Sequence, residues 1–292
     1  MSESKALPVA GIELGGTKTV VAWGLSDGTI HEEHRFPTTR PEETFATATA
    51  WLRERGTPAG IGVGAFGPVR VNPAAPDFGS LLATPKDGWQ GFSITGALAA
   101  AFPGVPLTLD TDVNAALWGE VALGAAQGAT DAAYITIGTG IGAGILSGGR
   151  LVHGAVHPEF GHFKVARAPG DSFAGLCPFH GDCLEGLASG PAIAARWGKA
   201  AADLPADHPA WDMEAWYLAH GILALLAIVS PSKVIVGGGV SQSAGLHAKI
   251  AACLEKITAG YFGEGDFTDL VVPPALEQEA GIRGALLLAS NH

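Results

Sequence analysis

The stretch Cys177-Pro-Phe-His180-Gly-Asp-Cys183-Leu-Glu185 sets two thiols, an imidazole and two carboxylates within nine residues, and His162 stands fifteen positions upstream. Thiolates and imidazoles are the donors that tetrahedral zinc prefers, so His162, Cys177, His180 and Cys183 form a four-ligand candidate site for Zn2+. Four protein donors leave no open position, which makes such a metal a structural clamp rather than a source of hydroxide. Glu159 comes just before His162, and Glu185 just after Cys183. A metal gripping this loop therefore also aims two carboxylates, an arrangement suited to the hydroxyl groups of a small polar ligand. The bland alternative is two unrelated core thiols. The even spacing of thiol, imidazole and thiol in a Gly/Pro-rich loop argues against it.

Three glycine turns supply a second kind of chemistry. Gly15-Gly16-Thr17-Lys18 offers free backbone N–H groups, a hydroxyl and an ammonium at one place, the parts needed to hold a phosphate tail. No Gly-Lys-Ser/Thr opens a helix, so this is not a Walker loop. Gly138-Thr139-Gly140 is a similar turn, and Gly237-Gly238-Gly239 a third. The second is followed by a strand pattern and not a helix, which removes it from the dinucleotide-binding class. Asp110-Thr111-Asp112-Val113-Asn114 crowds two acids and an amide at a strand-to-helix junction. One of these residues serves as an N-cap. A carboxylate left over at such a junction can accept the proton of an attacking hydroxyl.

The elements that must carry these groups are legible in outline. Val9–Glu13 and Thr19–Trp23 read as strands around the first glycine turn. Ala132–Ile137 and Gly142–Leu146 repeat that theme around the second, which suggests an internal duplication with a cleft between the halves. Pro41 begins a helix with Phe45, Ala48 and Leu52 on its apolar side. Strands are expected at Ile61–Ala65, Val105–Asp110 and Lys233–Val236. Helices are expected at Val113–Gln127, Pro191–Ala202, Trp211–Val229, from the third glycine turn to Leu254, and Glu277–Ala289. Val69–Trp89 reads as a long functional loop.

Composition narrows the class. At 292 residues, with 47% apolar and 15% charged side chains, the chain can bury two cores of about 100–190 residues each. A net charge of −11 with scattered basic residues disfavours nucleic acid and anionic membrane as partners. Three cysteines, two of them in the candidate metal loop, exclude a disulfide framework and leave Cys253 as a small apolar residue. The first seven residues show no secretory pattern, and the longest apolar run, Gly221–Val229, is far short of a membrane span. A cytoplasmic protein is expected.

Taken together, these motifs resemble the ROK group of sugar kinases, within the hexokinase/actin-like ATPase superfamily, from about Gly11 to Ala289. Glu13-Leu-Gly-Gly-Thr-Lys looks like the family's first phosphate motif, Ile137–Gly144 its second, and Gly237–Gly239 its adenosine motif. Pro158-Glu159-Phe-Gly161-His162 and Cys177–Glu185 look like its sugar-and-zinc signature. The histidine between the two cysteines, and Thr84-Pro85-Lys86-x-Gly88-Trp89, are most similar to the fructokinase branch. The resemblance implies an α/β, two-domain actin-like ATPase (ribonuclease H-like) fold with a central cleft. Residues 1–115 with a returning tail, 276–292, would form the small domain, and 116–275 the large one with the zinc loop. It implies ATP-dependent phosphorylation of D-fructose at C6, with ATP, Mg2+ and Zn2+ as cofactors; glucose, mannose or another hexose is the alternative substrate. Asp112 would be the base, and Gly67, Thr111, Asp112, Glu159, His162 and Glu185 would contact the sugar. Gly15, Gly16, Thr17, Lys18, Gly138, Thr139, Gly140, Gly237, Gly238 and Gly239 would hold ATP. Glu13 stands where much of the superfamily has Asp, and Thr111 where glucose-specific members tend to have Asn. Family repressors carry a DNA-binding domain ahead of this fold, for which the position of the first phosphate motif leaves no room. A homodimer is the assembly that the resemblance implies.

Overall fold

A computed structural model describes residues 6–84, 86–263 and 266–290. Pro85 of the Thr84–Trp89 motif, the first five residues and the last two lie outside the described residues. The chain divides into two compact units: one takes residues up to Gly124, Val152–Pro158 and the stretch from Gln278 onward, the other Ala125–Leu151 and Glu159–Glu277.

In the first unit, β1 (Pro8–Leu14), β2 (Lys18–Leu25) and β3 (Ile30–Pro37) form an antiparallel meander, and β4 (Ile61–Ala65) and β5 (Leu107–Thr111) extend it in parallel, in the order β3-β2-β1-β4-β5. The glycine turn closes the first hairpin, with the Gly15 N–H donating to Lys18 O at 3.0 Å. Sequence reading missed β3, whose His31, Glu32, Glu33, His34 and Arg35 show no apolar alternation. It is an edge strand, where charge discourages pairing with another chain. Helix α1 (Pro41–Arg53) opens on a proline at its first position, carries Glu42 and Glu43 in its first turn, and buries Phe45, Ala48 and Leu52. Helix α2 (Ile94–Ala101), also unread, is capped by Ser93, whose Oγ accepts from the Gly96 N–H at 3.0 Å. Both pack on one sheet face, against Ile12, Leu14, Val63, Ala65 and Leu109.

The expected loop Val69–Trp89 is a packed segment held by short bridges, Val69 to Leu81 and Ser80 to Ser93. Val69, Leu81 and Trp89 are fully buried, and the Trp89 indole N–H donates to Thr39 O at 2.9 Å. Its apolar residues are too sparse to show a period, yet they anchor it. Helix α3 (Asp112–Leu123) runs unbroken past Ala115 and stops before Gly124, which carries the first unit beyond the boundary expected from sequence and ends the helix short of Gln127.

The second unit repeats the strand order. Antiparallel β6 (Ala132–Ile137), β7 (Ile141–Ser147) and β8 (Arg150–Leu151) adjoin parallel β9 (Lys233–Gly237) and β10 (Val271–Val272), in the order β10-β9-β6-β7-β8. The duplication expected from sequence is thus present in the topology of the two sheets. Its helices are α4 (Leu184–Ala188), α5 (Gly190–Trp197), α6 (Ala210–Ile228) and α7 (Leu246–Thr258). Helix α5 stops at Trp197, short of the expected Ala202, because Gly198 takes a left-handed conformation with φ of 71°. Helix α6 buries Trp211, Ala215, Leu218, Ile222 and Leu225 along one side. Among the described residues, no helix is long and apolar enough to cross a membrane. Helix α6 also carries Glu214, whose carboxyl is fully buried, with Oε1 lacking a partner among the described residues. Its cation, Arg196, is committed to Asp171 at 3.1 Å, and Asp171 also accepts from the Tyr217 hydroxyl. Burial therefore pushes the Glu214 carboxyl well above the usual range, with Arg196 only partly opposing it.

The last helix, α8 (Ala280–Leu288), returns to the first unit and packs with α3 on the sheet face opposite α1. This approach is backbone to backbone. A Cβ at Gly284 would stand 1.7 Å from Ala115 O, and one at Gly62 of β4 would stand 1.9 Å from Ala285 O. Glycine is required at both places, which accounts for part of the chain's 42 glycines.

Candidate active site and metal centre

In the first unit, Leu14, Ala65 and Thr111 are lateral neighbours at the C-terminal ends of parallel β1, β4 and β5. The segments leaving these three strands therefore gather at one sheet end: the Gly15–Lys18 turn, Phe66-Gly67, and Asp112 at the first position of α3. Strand ends of this kind are where α/β proteins hold ligands. The helix cap is Thr111, whose Oγ1 accepts from the Asn114 N–H at 3.2 Å, so neither acid is used for capping. Asp110 is 5% exposed and its oxygens are engaged. Oδ1 accepts from the Thr111 N–H at 2.8 Å and from Asn114 Nδ2 at 2.7 Å, and Oδ2 accepts from His153 Nε2 at 2.7 Å. Asp112 is half-buried, and its Oδ1 accepts from the Val113 N–H at 2.9 Å. The strand has ended before Asp112, so the two acids face different surroundings.

Among the neighbours of this sheet end, His153 and His157 were not singled out from sequence. Lys86 donates its ammonium to Gly16 O, placing a second cation beside Lys18 at the first turn. His153 holds Asp110, and His157 Nε2 accepts from the Val69 N–H at 3.2 Å, two residues past Gly67. Glu13 turns its carboxyl toward α8, where the Ile282 N–H donates to it while Oε2 is buried without a partner among the described residues. Burial pushes that carboxyl up, and Lys18 works against the shift.

In the second unit the other two glycine turns meet. The parallel pairing of Thr136 with Gly237 brings Gly237–Gly239 out beside Gly138–Gly140. Gly238, with φ of 89°, passes so close that a Cβ there would stand 2.4 Å from Ile137 O. The Gly138 N–H donates to Gly140 O at 2.9 Å, and the chain continues as strand β7 rather than as a helix. Glu185, on α4, accepts from the Ile141 N–H through Oε2 at 3.0 Å, which ties it to this turn. Its Oε1 stands 3.8 Å from His162 Nε2. Glu159 is exposed and leads into the short 3-10 turn Phe160–His162, where the His162 N–H donates to Glu159 O at 3.0 Å.

His162, Cys177, His180 and Cys183 come together with their donor atoms all within 4.8 Å of one another. Cys177 Sγ is 3.6 Å from Nδ1 of both His162 and His180, and Cys183 Sγ is 3.8 Å from His162 Nδ1. Tetrahedral zinc, with its usual bond lengths, separates sulfur and nitrogen donors by about 3.6 Å. The donor set and the spacing fit that ion. The frame is backbone: Cys177 and Gly181 exchange hydrogen bonds of 3.1 and 2.9 Å, and a bridge joins Lys164 to Cys183. Lys164 and Arg167 both pair with Asp182, bracing the loop from outside. Burial pushes the Cys183 thiol up, so a cation at the centre would be what makes it a thiolate. Because His162 uses Nδ1 for this cluster, its Nε2 faces Glu185. Cys253 lies away from the cluster on α7.

The ROK family model matches residues 9–292. A fructokinase from Pediococcus pentosaceus is 41% identical over 95% of this chain and 96% of its own length. A fructokinase from Zymomonas mobilis is 40% identical over 95% of each chain. Among solved structures, the ROK hexokinase from Thermus thermophilus superposes with a TM-score of 0.77 at 30% identity, covering 97% of this chain and 98% of the other. The fold is that of the actin-like ATPases to which ROK sugar kinases belong. The chain belongs to the ROK family.

Proposed function

We propose that this chain is an ATP-dependent fructokinase, which moves the γ-phosphoryl group of ATP onto the C6 hydroxyl of D-fructose. The observation that carries this reading is the match to two fructokinases at 40–41% identity along almost the whole of each chain. Asp112 acts as general base: its carboxylate takes the proton of the C6 hydroxyl as that oxygen attacks the γ-phosphorus, and the bond to the β–γ bridging oxygen breaks to release ADP. The saturation of Asp110 by three donors supports Asp112 as the base, since a carboxylate with both oxygens engaged in a buried pocket is poorly placed to take a proton. Gly67, Thr111, Glu159, His162 and Glu185 bind and orient the sugar. Gly15, Gly16, Thr17 and Lys18, with Gly138, Thr139, Gly140 and Gly237–Gly239, hold the nucleotide through backbone N–H groups and the Lys18 charge. Magnesium accompanies ATP as a counter-charge on its phosphates.

His162, Cys177, His180 and Cys183 would hold zinc, whose binding through Nδ1 of His162 would fix that residue's tautomer. With Nδ1 committed, the Nε2 of His162 is left for a sugar hydroxyl. Glu185, held by the Ile141 N–H, keeps one oxygen for the same purpose.

A coupled ADP-release assay with magnesium-ATP tests the reading against fructose, glucose, mannose and N-acetylated hexosamines. Fructose should give the highest kcat/KM. A higher value for glucose or mannose would make this a kinase for that hexose, and no sugar-dependent ADP release from any of them would end the kinase reading.

A further inference from the structure

We infer that His153 is a positioning residue for Asp112, acting through Asp110; the inference rests on the reading of Asp112 as base. Its imidazole Nε2 lies 2.7 Å from Asp110 Oδ2, so the carboxylate accepts and Nε2 carries the proton. The other oxygen of Asp110 takes the Thr111 N–H and Asn114 Nδ2. Thr111 and Asn114 bracket Asp112 in the first turn of α3, so Asp110 works as a staple across the residues that present the base. Three donors are needed to satisfy it, because Asp110 is almost wholly buried. With His153 gone, a buried carboxylate oxygen loses its partner, a costly state that the side chain relieves by turning toward other donors or water. That movement pulls on Asn114 and on the turn carrying Asp112.

The segment that carries the ring is anchored to the first unit. His153 belongs to Val152–Pro158, a short strap that packs with the first unit while the chain on either side of it belongs to the second. At the far end of the strap, His157 Nε2 accepts from the Val69 N–H, and its Nδ1 faces Pro158 O at 3.3 Å. The two histidines therefore have opposite duties: His153 donates through Nε2, and His157 accepts through it. Asp110 is the charged group acting on His153, and their hydrogen bond raises the imidazole's pKa, which favours the donating form. No sequence spacing signals this pair, since 43 residues separate its members.

The test uses full-length protein, the same ADP-release assay and four variants: His153→Ala, His153→Gln, Asp112→Asn, and His153→Ala with Asp112→Asn. Loss of the imidazole in His153→Ala should lower kcat at least about tenfold, with KM for magnesium-ATP within about twofold of the parent. Glutamine, whose amide nitrogen reaches about as far as Nε2, should return kcat to within about threefold. In the Asp112→Asn background His153→Ala should cost nothing further, because the group it positions has lost its basicity. A fall in kcat that persists in that background would show His153 acting elsewhere and overturn the inference, as would near-parental turnover by His153→Ala. Should the alanine variant fail to fold, His153→Gln against His153→Asn decides, since the shorter amide cannot reach Asp110; equal turnover by those two would sink the idea. If the parent protein phosphorylates no sugar, the functional reading falls first. If the parent is active and Asp112→Asn is unimpaired, the assignment of the base falls, and this inference with it.

Discussion

Asp110 and Asp112 stand two residues apart in different surroundings: Asp110 is buried and takes donors from Thr111, Asn114 and His153, whereas Asp112 is half-buried at the start of a helix. The strand ends at Thr111, Thr111 takes the cap, and Asp112 enters the helix with its carboxyl half-exposed. Substituting Asp112→Asn keeps shape and hydrogen bonding but removes basicity. We expect kcat to fall by at least about 100-fold while fructose and ATP still bind. Calorimetric titration of each ligand, beside the ADP-release rate, separates the two effects. Near-normal turnover would remove Asp112 from its role, and loss of sugar affinity alone would recast it as an anchor. The same residue-level logic accounts for what sequence could not reveal: two acids in one junction were visible, but the donors that tell them apart come from Asn114 and from distant His153.

At the scale of elements, two features make sharp predictions. The metal loop should carry about one equivalent of zinc after purification without added metal, as a four-donor structural site does. Cys177→Ser should lower that content and weaken fructose binding, with ATP binding spared; metal analysis and ligand titration read both. Metal loss with sugar affinity intact would leave the cluster without a part in sugar binding. The α3–α8 contact is the second feature. Gly284→Ala puts a methyl group against Ala115 O and should cost about 1–3 kcal/mol or more, seen as a lowered midpoint in thermal or urea unfolding. How much of all this a sequence displays depends on how local its signal is. The two hairpins, α1 and the cluster of Cys177, His180 and Cys183 were legible because glycine turns between β-branched runs, a proline at a helix start and closely spaced thiols all speak within a few positions. Strand β3 was hidden because an exposed edge strand needs no apolar face, and α2 because eight largely small residues show little period. The His157–Val69 bond spans 88 positions, a distance over which spacing carries no information.

At the scale of the whole molecule, the buried acid Glu214 gives stability a pH dependence of known sign. Its folded pKa lies well above the ordinary glutamate value of 4.5, so the unfolded chain releases that proton first. The contribution is therefore fully present below about pH 4.5 and is lost as pH rises toward the folded pKa. Glu214→Gln removes the titration, so the melting temperature of the variant relative to the parent should climb as the pH is raised from about 5 to 8. A constant difference over that range would mean that Glu214 does not titrate there. The return of α8 to the first unit bears on something else, the order in which the molecule can be made. During synthesis the first 124 residues emerge early, but the sheet face that α8 covers stays bare until residues 280–288 leave the ribosome. The second unit, by contrast, is complete by Glu277. Domains made first usually fold first; here the unit that starts earliest must finish last, holding its apolar face on β1 and β2 open through most of translation. A fragment ending at Gly124 should accordingly show no cooperative melt alone, and should need both the strap and the tail helix to acquire one.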